Sequence, residues 1–210
     1  MTTERPEEMV LAIRRDLFDR LGSFQGLSFD VPRYLSPILA RENNFFAPRS
    51  RAELDPGLKQ IIPYVILTHE GRVLHYIRGK KGGEKRLTAK GSIGIGGHLN
   101  DADENLFSFD QRSYLAGVKR EVDEELIVQS GYQNHIRALL NDDSNEVGRV
   151  HLGIIHVFEL DGAQVSKREA QITQLAFLTS EELHARRDQL ETWSQLCVDH
   201  LDKLLQPAPV

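Results

Sequence analysis

Apolar residues recur every three to four positions in two parts of the chain, and such spacing puts them on one side of a helix. In the first, Val10, Ile13, Leu17 and Leu21 mark an amphipathic helix over Pro6–Leu21, with Gly22 as its C-terminal stop. In the second, Leu115, Val118, Val122 and Leu126 mark a helix from about Ser113 to Val128. Between them the period shortens. Ile61–Thr68 and Arg72–Arg78 read as strands joined by His69-Glu70-Gly71, a hairpin turn with glycine in it. Gly91–Leu99 reads as a further strand, glycine-rich where another backbone must approach closely. Beyond the second helix, Asn134–Leu140, Arg149–Leu160 and Ile172–Leu178 are strand-like, and the middle one alternates poorly, as a strand buried on both faces does. Thr179 with Glu182 three residues later forms a capping box opening a C-terminal helix through Leu183, Leu190, Trp193, Leu196, Val198 and Leu201. A short helix is expected over Arg33–Arg41, after Pro32.

This order predicts an α/β protein, a mixed sheet with helices on its faces. Residues 1–58 are expected to be a helical extension packing on the core, and 59–210 the main domain including the C-terminal helix. Phe45 and Phe46, adjacent in a polar stretch, would cover that core or line a ligand cavity.

The second helix also carries chemistry. Glu121, Glu124 and Glu125 stand at i, i+3 and i+4, so their carboxylates share one face. Like charges that close repel unless a cation sits among them, and oxygen-only ligands suit a hard ion such as magnesium or manganese. The bland alternative is a solvated helix face. Upstream, Gly94-Ile95-Gly96-Gly97-His98-Leu99 weighs against it, because a glycine turn followed by this helix is a known combination.

Gly97 and Arg120-Glu121-Val122-Asp123-Glu124-Glu125, with Val128 as the closing aliphatic residue, resemble the Nudix box of the Nudix (MutT-like) hydrolases. Three departures accompany the match. The span from Gly97 to Arg120 is nine residues longer than the family pattern, an insertion containing Asn100–Gln111 that lengthens the loop. Arg112 stands where the family has the glutamate that pairs with the box arginine, so that salt bridge is either lost or supplied by Glu104 or Asp110. Ile127 replaces the closing glycine. None of the three removes a metal ligand of the family pattern.

The resemblance, over roughly Gln60–Leu190, implies an α/β/α sandwich and a metal-dependent hydrolase of a nucleoside diphosphate linked to another moiety, using Mg2+ or Mn2+. It implies Glu121, Glu124, Glu125 and the Gly97 carbonyl as metal ligands, with Arg120 orienting the carboxylates. It places the general base on a loop before the last strand, where Glu169 stands; the loop carrying Asp142, Asp143 and Glu146 competes for that role. Lys85 and Arg86, in a basic glycine-rich connection, are candidate phosphate contacts or a solvated turn, and His98 is either a substrate contact or a local hydrogen-bonding residue. Two rivals remain. A non-catalytic nucleotide sensor on the same fold would not need all three carboxylates. An enzyme like isopentenyl diphosphate isomerase would need an active-site cysteine, and the single cysteine, Cys197, sits in an apolar context.

Composition narrows the picture little further. Over 210 residues, 40% hydrophobic and 27% charged is ordinary for a globular protein, and the net charge of −5 argues against general nucleic-acid binding. One cysteine and no long apolar run fit a cytoplasmic protein. The stripe on the N-terminal helix suggests a homodimer contact.

Overall fold

The computed structural model describes residues 7–78, 90–101, 111–170 and 172–206. In chain order they form β1 (Met9–Arg14), α1 (Arg15–Gly22), β2 (Gly26–Ser28), α2 (Val31–Leu39), β3 (Asn44–Pro48) and α3 (Arg49–Ala52). Next come β4 (Leu58–His69), β5 (Arg72–Arg78), β6 (Gly91–Ser92), β7 (Gly94–Gly96), α4 (Gln111–Glu125) and β8 (Leu126–Val128). The rest is β9 (Tyr132–Asn141), α5 (Glu146–Arg149), β10 (His151–Leu160), β11 (Val165–Lys167), β12 (Ile172–Leu178), α6 (Ser180–His184), α7 (Thr192–Val198) and α8 (Leu201–Leu205). This is a mixed α/β protein with one large sheet in the strand order β12-β5-β4-β10-β9-β2, and β8 with β11 as a separate pair. The chain divides into two compact units, Met1–Pro63 with Gly97–Lys119 and Leu139–Ile154, and Tyr64–Gly96 with Arg120–Ala138 and Ile155–Val210.

In the first unit the N-terminal segment differs from expectation. Met9–Arg14 is a strand, and only Arg15–Gly22 is helical. The 3–4 spacing of Val10, Ile13 and Leu17 hid the fact that Leu11 and Ala12 between them are apolar too. Val10 through Ile13 are all buried, as both faces of a central strand are. β1 pairs antiparallel with β3 (Leu11 opposite Phe46) and with the start of β4 (Ala12 opposite Gln60). The first fifty-odd residues thus supply strands to the sheet, in place of a purely helical extension. Gly22 ends α1 at φ +94°, as the sequence suggested. The apolar side of α1 is used within this unit: Phe18 is fully buried and meets Phe24 edge-on, and Phe24 meets Tyr34 likewise. The stripe therefore gives no support to a dimer contact. Phe45 remains exposed on β3.

In the second unit β4 and β5 form the expected hairpin. Glu70 and Gly71 take φ of +50° and +75°, the two positive values that a right-twisted two-residue turn needs. Gly94 faces Tyr64, whose ring carbon would lie 2.1 Å from an added Cβ, so only glycine fits. β12 coincides with the expected Ile172–Leu178 and pairs with β5. The capping box of Thr179 and Glu182 is formed in both directions.

The C-terminal helix is broken into α6, a 3-10 turn at Arg187–Gln189, α7 and α8. The break has a visible cause. Leu190 bridges Gly91, and the Glu191 amide donates to the Gly91 carbonyl at 2.9 Å. The Glu191 carboxylate then accepts from the Tyr64 and Ser92 hydroxyls at 2.7 and 2.9 Å and from Ser194 at 3.1 Å. Satisfying these buried hydroxyls outweighs one more helical turn.

Candidate functional site

Helix α4 runs Gln111–Glu125 and ends earlier than the apolar spacing suggested. Its buried stripe is Tyr114, Val118 and Val122, and Leu115 lies outside it, exposed. Leu126, Ile127 and Val128 leave the helix directly as β8, pairing antiparallel with Lys167, Ser166 and Val165 of β11. The helix end is closed by backbone alone: the Glu125 carbonyl accepts from the amides of Arg168 and Glu169, at 2.8 and 3.1 Å. No left-handed residue is used there, which explains why isoleucine serves at 127 where the family has glycine.

The three carboxylates are graded from interior to solvent. Glu125 follows Val122 by one turn and is 9% exposed. The Glu121 side chain is 13% exposed and that of Glu124 59%. One nitrogen, Arg120 Nη1, donates to Glu121 Oε1 at 2.8 Å and to Glu124 Oε1 at 2.9 Å. The guanidinium thus lies between the carboxylates of Glu121 and Glu124. The donor set is hard and anionic, which fits magnesium or manganese. Among the described residues no three His, Cys, Asp or Glu side chains already converge as a cage. An ion would recruit these carboxylates from Arg120.

Glu169 is brought beside this helix by the hydrogen bond of its own amide to the Glu125 carbonyl. The competing loop is occupied otherwise. Asp143 receives Lys59 Nζ at 2.7 Å and Arg15 Nη2 at 2.7 Å. Partial burial pushes its carboxyl up, but the two cations outweigh this and hold it below the usual range. Asp142 is buried, yet hydrogen bonds from Ser144, Gln25 and Asn145 also leave its carboxyl lowered. Carboxylates so engaged are poor proton acceptors. Lys85, Arg86, Glu104 and Asp110 lie outside the described residues.

Gly97 follows β7 directly. His98, next to it, meets His151 with Nε2–Nε2 at 3.4 Å. Burial, then Arg49 and His151, push the His98 imidazole down to about 4. Sequence reasoning missed His151 and the buried Lys59. The signal for Lys59 was present as a lone cation in the strand Leu58-Lys59-Gln60-Ile61-Ile62. His151 had none, because only the fold brings it to His98. Cys197 is fully buried, its thiol pushed well up by that burial, so it is a core residue as expected.

A carboxylate-bearing helix within a mixed α/β sheet protein defines a class. No family model matches the chain. It is 39% identical over 208 residues to Protein YmaB of Bacillus subtilis, covering 93% of this chain and 98% of that protein. It is similar to the crystal structure of Tm1382, described as a candidate Nudix hydrolase, at 29% identity and TM-score 0.79 over 94% of this chain and 100% of that one. It shares its fold with the Nudix domain of Shewanella oneidensis NrtR, solved with ADP-ribose, at 10% identity and TM-score 0.51, covering 70% of this chain and 89% of that one. The chain belongs to the Nudix (MutT-like) hydrolase family.

Proposed function

We propose that this enzyme hydrolyses the diphosphate of a nucleoside diphosphate joined to another moiety, with Mg2+ or Mn2+ as the required ion. The observation that carries the reading is the single Arg120 nitrogen holding Glu121 and Glu124 at 2.8 and 2.9 Å, beside the buried Glu125. Helical geometry alone would leave three mutually repelling carboxylates on this face. A helix keeps such an arrangement when a cation is to be held there.

Glu121, Glu124 and Glu125 would hold the ion. Bound there, it would neutralise phosphate charge and lower the pKa of attacking water. Arg120 keeps the two outer carboxylates aimed together and screens their repulsion until then. Glu169, fixed at the helix end through its amide, takes the water proton as general base. The isomerase alternative loses its chemistry, because the lone cysteine is sealed in the core. The sensor alternative differs in one respect only: it binds nucleotide without turnover.

The deciding experiment is release of phosphate products from nucleoside diphosphate sugars, dinucleotide polyphosphates, nucleoside triphosphates and ADP-ribose with Mg2+ or Mn2+, for wild type and Glu124→Gln. Turnover of any member that is lost in the variant supports the enzyme. Binding without turnover across the panel moves the assignment to the sensor.

A further inference from the structure

Outside the carboxylate helix, the first unit brings two imidazoles nose to nose. His98 Nε2 and His151 Nε2 are 3.4 Å apart, with ring centroids at 5.6 Å and planes at 59°. The far nitrogen of His151, Nδ1, lies 2.6 Å from the Val147 carbonyl. A carbonyl only accepts, so Nδ1 carries the proton and Nε2 of the neutral ring turns its lone pair toward His98. A backbone carbonyl on the far nitrogen is how metal-ligating histidines are commonly oriented.

The separation itself is informative. It is long for a nitrogen–nitrogen hydrogen bond, for which about 3 Å is usual. Two nitrogens each about 2.05 Å from a tetrahedral zinc ion stand about 3.4 Å apart. We propose that His98 and His151 are two ligands of an open site for a divalent transition-metal ion of the zinc class. Imidazole nitrogen suits zinc, nickel and copper better than the hard ions expected at carboxylates.

The cations that act on the rings, Arg49 on both and Lys59 on His151, each have carboxylate partners, Lys59 in Asp143. Glu53 is near enough to both rings that their charges act on its carboxylate. Arg49, the cation that acts most on His98, is already balanced by Glu8 and Glu53, each at 2.8 Å. Among the described residues no third His, Cys, Asp or Glu side chain completes the set. Water would have to complete the coordination, as in an open site.

The test uses the full chain and cobalt(II) as the probe, because tetrahedral nitrogen-bound cobalt absorbs strongly in the visible and magnesium is silent. Wild type, His98→Gln, His151→Gln and Glu124→Gln are titrated with cobalt(II), then with zinc in competition, after thermal melts confirm folding. The expected result is one tetrahedral cobalt per chain in wild type and in Glu124→Gln, with affinity at least about tenfold weaker in each histidine variant. Absence of stoichiometric binding to wild type overturns the proposal. So does binding that survives both histidine variants and disappears in Glu124→Gln, since the ion then sits on the carboxylates. Should the histidine variants not fold, X-ray absorption of the zinc-loaded wild type decides: two imidazole nitrogens support the site, and an all-oxygen shell refutes it.

Discussion

Lys59 and Arg120 are both cations ringed by oxygen, and the difference between them separates scaffold from site. Lys59 has no exposed side-chain surface, and its ammonium donates to Asn141 Oδ1, Asp143 Oδ1, Gly148 O and His151 O at 2.6 to 3.2 Å. Burial pulls it below the usual lysine value, and Asp143 opposes that pull. Every donor is used, on partners at the end of β9, in the loop after it, on α5 and at the start of β10. Gly148 belongs to the same arrangement, since a Cβ there would come within 1.8 Å of the Asp142 carbonyl. Arg120 is 28% exposed and gathers carboxylates of which the outer, Glu124, is more than half in solvent. A buried cation with permanent partners fixes a loop. A half-exposed cation between carboxylates that repel one another can yield its place.

The comparison breaks most sharply at Glu124. Glu124→Gln should lower turnover by at least about a thousandfold, about 4 kcal/mol of transition-state stabilisation. Its melting temperature should stay close to wild type, because exposed pairs of this kind contribute little to stability. A large loss of stability with turnover intact would make Arg120 and Glu124 scaffold after all.

Lys59→Met should do the reverse. It leaves Asp143 with Arg15 and strips a donor from two backbone carbonyls, one of them buried, so unfolding free energy should fall by about 3 kcal/mol, read by denaturant titration. Combining Lys59→Met with Asp143→Asn should cost less than the two separate losses added together. Additivity would show that the ion pair is not what holds this loop.

The same contrast explains what could be read from the chain beforehand. Local features were legible: the Glu70-Gly71 turn, the ends of β12, the Thr179 capping box, and the glutamates at i, i+3 and i+4. Each is decided within four residues. What escaped needed distant partners. β1 became a strand because β3 and β4 flank it, and the C-terminal helix broke because Glu191 answers hydroxyls on Tyr64 and Ser92. Lys59 was visible as an oddity, but its meaning depends on Asn141 and Asp143, more than eighty residues away.

His156 extends the comparison to a buried imidazole. It is fully buried on β10, with Nδ1 2.9 Å from Asn134 Oδ1, and burial pushes its imidazole down to about 3. An unfolded histidine titrates near 6.5. Above that value the ring is neutral in both states and contributes no slope. Between about 6.5 and 3 the unfolded chain takes up a proton that the native one refuses, so stability falls as pH falls, by at most about 1.4 kcal/mol per unit from this residue. His156→Gln should remove that share of the slope in denaturant titrations between pH 7 and 4, at the cost of a lower plateau at neutral pH. An unchanged slope would mean that the ring takes up its proton in the native state, and that the strand around it opens to water more readily than the enclosure of Lys59.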